Sequence, residues 1–360
     1  MNLQNLRARS EMIKLIRRFF DERGYVEMHT PRLVGLPGQE PHLEPFWTTV
    51  KKVESQKSKV KSDFGLATLN FGLPAALITS PEYMMKRLLA AGCDRIFDLG
   101  PCFRNEEPWD GTHDPEFLLL EWYRKDADLS SLMDETEEMM RWVAKKSKVK
   151  NDMSDEGLST FSASGGDFRF STPFRRLTVE AAWREYANIE LTPLLDDREA
   201  MARVCREHDQ TITKTDTWDD LYFKIFLSEI EPRLSTFDFR RSTFLYRYPA
   251  SMAALARRCA DDHRWADRVE LYIGGLELAN GFAELSDATE QRKRFEEDRD
   301  LRRSLGKKTW ELDEKFLDAL PQIGNAAGIA FGVDRCVMLL TGATSINDVI
   351  PSSARERFLA

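Results

Sequence analysis

The sequence predicts an α+β fold built on one mostly antiparallel sheet flanked by helices. Three observations lead there. Two apolar stretches, residues 96–99 and 117–120, flank a charged block that reads Phe103-Arg104-Asn105-Glu106-Glu107 and then His113-Asp114-Pro115-Glu116-Phe117, as two short strands joined by a charged loop would. Strand patterns return late, at residues 244–248, 269–273, 276–285 and 328–332. The connections between them are long and of variable length, which suits an antiparallel sheet better than a regularly alternating βαβ chain.

The elements follow in order. Residues 3–23 predict a helix, with Leu6, Ile13, Ile16 and Phe20 at helical spacing and Gly24 as its stop. Residues 25–30 alternate apolar and polar and predict a strand ended by Pro31. Residues 50–63 are Lys-rich and read as a solvated loop or hairpin tip. A helix from Ser80-Pro81-Glu82 to Ala91 would have Ser80 as N-cap and Pro81 at its first position. Another covers residues 131–144, with Leu132, Met139 and Val143 toward the core. Residues 151–172 are Ser/Gly-rich and weakly periodic, the candidate inserted segment. Residues 177–234 read as helical, with turns at Pro193 and Thr215-Asp216. Gly274-Gly275 reads as a tight turn, Asn280-Gly281 as a break in a strand, and residues 328–332 run into a helix at 333–340. The expected organisation is one domain over residues 1–360 with a mainly helical insertion at about 145–240.

Composition bounds the function. A chain of 360 residues, 42% apolar and 31% charged, is long enough to bury a substantial core and has the make-up of a soluble globular protein. Sixty acidic against 52 basic residues give a net charge of -8, which argues against a bulk polyanion-binding surface. Cys93, Cys102, Cys205, Cys259 and Cys336 form no CxxC pair and read as reduced thiols of a cytosolic compartment. Charged residues interrupt the first helix, so it is no signal peptide, and no run approaches the ~20 apolar residues of a membrane span. A cytoplasmic protein is expected.

Four clusters could carry chemistry. Residues two apart on a strand share a face, so Arg104 and Glu106 should point together, as should Phe117, Leu119, Glu121 and Tyr123. A cation among carboxylates beside an aromatic plate is costly as structure and makes sense as a nucleotide site. Gly332-Val333-Asp334-Arg335 places an arginine beside a helix N-terminus, which favours anions; the plain alternative is an Arg335–Asp334 pair. Glu270 and Glu277 flank the Gly274-Gly275 turn, and such a pair fits Mg²⁺ shared with substrate phosphates, or an exposed acidic hairpin edge. Glu284, after Asn280 in an apolar strand, asks for a cation: an Arg or Lys of the protein, or an amine of a ligand.

These clusters, in this order, resemble the three motifs of the class II aminoacyl-tRNA synthetases, closely those of the lysyl type, over about residues 6–350. The first motif is the opening helix and the strand before Pro31, the second runs from Phe103 through Tyr123, and the third covers residues 328–340. The first motif lies almost at Met1, without the N-terminal OB-fold by which lysyl-tRNA synthetases read the anticodon. That arrangement, with Tyr248-Pro249-Ala250-Ser251, Glu277-Leu278-Ala279-Asn280-Gly281-Phe282 and Ala330, is similar to the lysyl-synthetase paralogues that modify elongation factor P. The resemblance implies the catalytic-domain fold of that class and a ligase using ATP and Mg²⁺. It would activate lysine or (R)-β-lysine as an acyl-adenylate and transfer it to a lysine of elongation factor P, with a homodimer expected and tRNA not expected as acceptor. The rival readings are a free-standing lysyl-tRNA synthetase-like core that charges tRNA and a non-catalytic paralogue serving as a regulatory subunit.

The resemblance also implies roles. Arg104 and Arg335 would be catalytic, Arg104 on the α-phosphate and the substrate carboxylate. Around ATP would lie Asn105, Glu106 on the adenine amino group, His113, Asp114, Phe117 stacked on the ring, Glu277, Leu278 and Gly332. Glu270 and Glu277 would hold Mg²⁺. Around the amino acid would lie Ser80, Pro81, Glu82, Tyr123, Asn280, Glu284 and Ala330, with Glu82 on the backbone-side amine and Glu284 on the ε-ammonium. Asp114, where the family tends to have asparagine, and the tail after Pro351 depart from the pattern.

Overall fold

Helix α1 (Leu3–Asp21) begins where the Asn2 side chain accepts from the backbone N–H groups of Gln4 and Asn5, and it buries Met12, Ile16, Phe19 and Phe20. It ends two residues before the expected boundary. The computed structural model describes residues 2–51, 72–147, 160–163, 166–169, 173–236 and 242–359, with only the backbone described at 160–163, 166–169 and 235–236. Most of the Lys-rich stretch at 50–63, and most of the Ser/Gly-rich stretch at 151–172, lies outside the described residues.

After α1 come β1 (Val26–Glu27), β2 (Leu33–Val34), β3 (Trp47–Val50), β4 (Leu73–Leu77) and α2 (Glu82–Ala90). Then follow β5 (Arg95–Phe103), β6 (Glu116–Lys125) and α3 (Leu129–Lys146). A hairpin of β7 (Thr160–Ala163) and β8 (Gly166–Arg169) precedes β9 (Arg175–Thr178). Helices α4 (Val179–Ala182), α5 (Arg198–Glu207), α6 (Trp218–Ile225) and α7 (Glu231–Thr236) lead to β10 (Thr243–Pro249), β11 (Trp265–Ile273) and β12 (Leu276–Ala283). The chain closes with α8 (Ala288–Ser304), α9 (Glu314–Ala319), β13 (Ala326–Gly332), α10 (Val333–Thr341) and α11 (Ala354–Phe358).

Eight strands form one sheet in the order β1-β5-β6-β13-β12-β11-β10-β9. Only the two edge pairs, β1 with β5 and β9 with β10, are parallel. This is the α+β, mostly antiparallel architecture that the sequence predicts. The register lines up one row across five strands: Glu270 opposite Asn280, Asn280 opposite Ala330, Ala330 opposite Glu121, and Glu121 opposite Asp98. Directly opposed residues share a face, so a polar band crosses the sheet with Ala330 at its centre. The next row runs Arg268, Phe282, Gly328, Tyr123 and Ile96 on the same face.

The two faces of the sheet are covered differently. Leu120 and Trp122 of β6 point into a core with Phe19, Phe20, Met139, Val143, Val337 and Leu340 from α1, α3 and α10. Tyr123 points the other way, into a cluster with Met85, Leu89, Phe295 and Phe316 from α2, α8 and α9. Alternation along β6 therefore separates the structural face from the polar one.

Four expectations change. The strand at 25–30 shrinks to β1, because Thr30 is drawn to Asp98, whose Oδ2 accepts from its N–H at 2.9 Å and its hydroxyl at 2.8 Å. Helix α2 starts one residue late, with Pro81 as the capping residue; the Ser80 hydroxyl still accepts from the Glu82 N–H at 3.0 Å. Asn280-Gly281 is no break, since β12 runs through it. Glycine is needed there for close approach: a Cβ would lie 2.8 Å from the Ile329 side chain and 2.9 Å from the Gly328 carbonyl. Lastly, β5 stops at Phe103 and Glu106 has a φ of 61°, so Arg104 and Glu106 do not share a strand face.

Candidate active site

Arg104 follows the end of β5, where its N–H is held by the Pro115 carbonyl at 3.0 Å. Its guanidinium carbon stands 5.0 Å from the centre of the Phe117 ring. Its Nε is buried without a hydrogen-bond partner, and among the described residues no carboxylate lies within ion-pair distance of it. The expected cation among carboxylates is thus a cation without a counter-ion. It lines a cavity with His113, Asp114, Phe117, Glu277, Leu278, Asn280, Ala330, Gly332 and Arg335. Asn105 and Glu106 do not line it: both are exposed, and the Asn105 N–H is tied to the Glu44 carbonyl at 2.7 Å.

Gly332 caps α10, and Arg335 in its first turn reaches back over the cavity. Its Nη1 donates to the Glu277 carbonyl at 2.8 Å, its Nε to the Thr112 carbonyl at 3.3 Å, and its Nη2 meets His113 Nε2 at 2.8 Å. A guanidinium only donates, so His113 Nε2 accepts and Nδ1 carries the hydrogen toward Asp110, 3.1 Å away. The plain alternative of an Arg335–Asp334 pair is not what forms. Asp334 pairs with Arg9 at 2.7 Å and accepts from the Leu118 N–H at 2.7 Å.

Asp114 requires a correction. Its backbone lies at the cavity, but its buried carboxylate pairs with Arg357 at 2.5 Å and accepts from the N–H groups of Ala354 at 2.7 Å and Glu116 at 3.1 Å. With these partners its carboxylate ties the loop to the C-terminal helix, while the residue itself lines the cavity. The two departures from the family pattern, Asp114 and the tail, therefore meet each other. Leu278 also enters differently from a polar contact: its side chain belongs to the main core, and only its main chain faces Gly332.

Glu270 and Glu277 lie on β11 and β12 as expected, in unlike states. Glu270 accepts from the hydroxyls of Tyr248 at 2.5 Å and Tyr272 at 2.7 Å, and pairs with Arg268. The Glu277 carboxylate has no hydrogen-bond or ion-pair partner among the described residues, and burial and Glu270 push it above the ordinary carboxylate range. An unpartnered carboxylate beside a second, buried one fits a hard divalent cation. Among the described residues no third His, Cys, Asp or Glu joins them, so substrate oxygens would have to complete the shell.

The polar band continues into an acidic chamber. Glu121 accepts from the Ser80 hydroxyl at 2.5 Å and the Tyr123 hydroxyl at 2.8 Å. Tyr123 thus serves Glu121. Burial and Glu82 raise Glu121 well above its ordinary value. Glu284 follows β12, and the structure answers its need for a cation with Lys86, whose Nζ lies 2.6 Å from Glu284 Oε2 and 2.5 Å from Glu82 Oε1. Burial opposes the Lys86 charge, but the two carboxylates outweigh it and keep the ammonium raised. Ser80, Pro81 and Glu82 open onto a second cavity of about 500 Å³, walled by residues 33–38 and 312–315. Asn280 Oδ1 remains buried without a partner, while its Nδ2 lies 3.5 Å from Glu270. Sequence reasoning missed Lys86, although Glu82 and Lys86 stand at i and i+4 on one helix face, which is the local signal for such a pair.

The sheet and the placement of the motifs define a class II synthetase domain. The family model for class II tRNA synthetases (D, K and N) matches residues 1–354, and the chain belongs to that family. Curated relatives carry a narrower name. The chain is 37% identical over 352 residues to an elongation factor P--(R)-beta-lysine ligase of Proteus mirabilis, covering 97% of this chain and 94% of that one. Proteins of the same name from Avibacterium paragallinarum and Salmonella paratyphi B are 35% and 36% identical, each over 353 residues, covering 98% and 97% of this chain and 96% and 94% of theirs.

Proposed function

We propose that this protein activates lysine or (R)-β-lysine as an acyl-adenylate and passes the acyl group to elongation factor P. The observation that carries the reading is Arg104, a cation without a counter-ion in a cavity shared with Asn280 and Ala330 of the polar band, while the band's Glu121 leads through Ser80 to the Glu82–Glu284 acidic chamber. An anion belongs in the cavity and an amine in the chamber, and an amino acid with a side-chain amine, lying beside ATP, offers both. The name that the relatives carry supplies the acceptor.

In the first step the substrate carboxylate attacks the α-phosphorus of ATP in line, a mixed acyl-phosphate anhydride bond forms, and the bond to pyrophosphate breaks. Arg104 would meet the charge that builds on the α-phosphoryl oxygens, and Arg335, steadied by His113, would meet the departing phosphates. Phe117 would exchange its contact with Arg104 for the adenine ring. Glu277, with Glu270, would hold Mg²⁺, which supplies charge neutralisation of the phosphates. In the second step an acceptor amine attacks the acyl carbon, an amide forms, AMP leaves, and the amine gives up a proton.

The same reading extends to assembly and place. Val26, exposed on the strand of the first motif, and Leu33, exposed just after it, support a homodimer through that surface, which sedimentation would check. All five cysteines are free, and no helix among the described residues is long and apolar enough to cross a membrane, which suits a cytoplasmic ligase.

Lysine-dependent exchange of pyrophosphate into ATP tests the first step. Arg104→Ala should lower it by about 10²–10³-fold, the scale of losing one preorganised donor. Exchange near the wild-type rate in that variant would remove Arg104 from the mechanism.

A further inference from the structure

The acidic chamber contains one cation to which the reaction gives no role. Lys86 is completely buried on α2, and its ammonium lies between one oxygen of Glu82 and one of Glu284. A lysine retained only to neutralise a charge needs one carboxylate. Lys86 has two, at 2.5 Å and 2.6 Å, so one ammonium bridges two elements of the chamber.

The surroundings make this arrangement costly without the ammonium. Glu82 faces Lys86 from its own helix, and Glu284 faces it from the end of β12. Glu121 and Tyr123 approach from β6, Glu40 acts on Glu82 from the loop beside the larger cavity, and Arg257 acts on Glu284. Two buried carboxylates this close, with a third nearby, would share a proton if no resident cation stood between them. A protonated carboxyl is a poor seat for an ammonium group.

We infer that Lys86 is a positioning residue of the amine site: its buried ammonium holds the Glu82 and Glu284 carboxylates apart in the empty pocket, so that the pocket is preset for a substrate with two ammonium groups. The inference rests on the reading of Glu82 and Glu284 as the amine site.

Lysine binding followed by calorimetry in two buffers of different ionisation enthalpy tests this, together with pyrophosphate exchange. In Lys86→Met the lysine KM near neutral pH should rise roughly tenfold or more, while kcat and the ATP KM stay within about threefold. Binding should release about one more proton than in wild type, and the affinity should recover as the pH is raised. Lys86→Arg keeps the charge and should release the wild-type number of protons; it carries the test if Lys86→Met does not fold. Wild-type affinity with an unchanged proton count in Lys86→Met overturns the inference. So does a fall of kcat with parallel rises of the lysine KM and the ATP KM at every pH and no added proton, since that marks a purely structural residue. Glu284→Gln separates the two claims. If it leaves lysine binding intact the amine-site reading fails, whereas a null result in Lys86→Met alone leaves that reading standing.

Discussion

Glu284 and Gly328 show how closely single residues are constrained in the chamber. A Cβ on Gly328 would overlap the Tyr123 ring and lie 2.8 Å from Glu284 Oε1. Gly328→Ala should therefore cost about 1–3 kcal/mol by overpacking and raise the lysine KM more than the ATP KM, which melting curves and exchange kinetics would check. Titration follows from the same crowding. Burial raises both Glu121, helped by Glu82, and Glu284, against the pull of Lys86. A carboxyl raised on folding contributes stability that is whole below the unfolded value of about 4.3 and is lost as pH rises through the folded value. The ligand-free protein should melt at lower temperature as the pH goes from about 6 to about 8.5, and saturating lysine should flatten the trend by pairing the charges. A ligand-free melting temperature that rises over this interval contradicts the assignment. At this scale the sequence already marked Arg104, Glu82, Glu284 and Arg335. Lys86 was hidden because a lysine four residues after a glutamate on a helix usually marks a solvated face, and only tertiary packing buries this one.

The hairpin of β5 and β6 and the C-terminal segment form the elements on which the nucleotide end depends. The loop between the strands is docked by the Ile346 N–H on the Gly111 carbonyl at 2.7 Å and by the Asp114–Arg357 pair. Arg357→Ala leaves the Asp114 carboxylate buried without its cation. Because Arg357 itself is partly exposed, the expected loss is about 1–2 kcal/mol, with a few-fold rise in the ATP KM and no change in the lysine KM. Asp114→Asn in the same chain should restore most of the stability, and failure to do so would argue against the tie. The apolar stretch at residues 117–120 leading into Glu121-Trp122-Tyr123 made β6 legible as a strand, and Phe117, Glu121 and Tyr123 do share a face. Alternation could not be carried past Phe103, where a left-handed backbone at Glu106 turns the loop, nor could it tell that Gly281 is a point of close approach within a strand. The pairing of Asp114 with the tail joins residues 243 positions apart, which no local pattern encodes.

Across the whole molecule, the register of five strands brings Glu270, Asn280, Ala330, Glu121 and Asp98 into one line. That line places the phosphate end and the amine end of the site on one rigid sheet, with the main core packed behind it. The fold class was legible because antiparallel strands with long excursions leave a periodic trace, and the motif order named the family. The strand order and the row were not, since pairing between distant strands is decided by packing that a single sequence does not display. The central claim is that this site joins a lysine isomer to a protein amine. The most direct measurement is the intact mass of elongation factor P after incubation with this protein, ATP, Mg²⁺ and (R)-β-lysine, beside a parallel reaction offering tRNA. The account predicts a gain of one β-lysyl unit on elongation factor P that requires ATP and is lost with Arg104→Ala. An unmodified factor together with aminoacylated tRNA would contradict it.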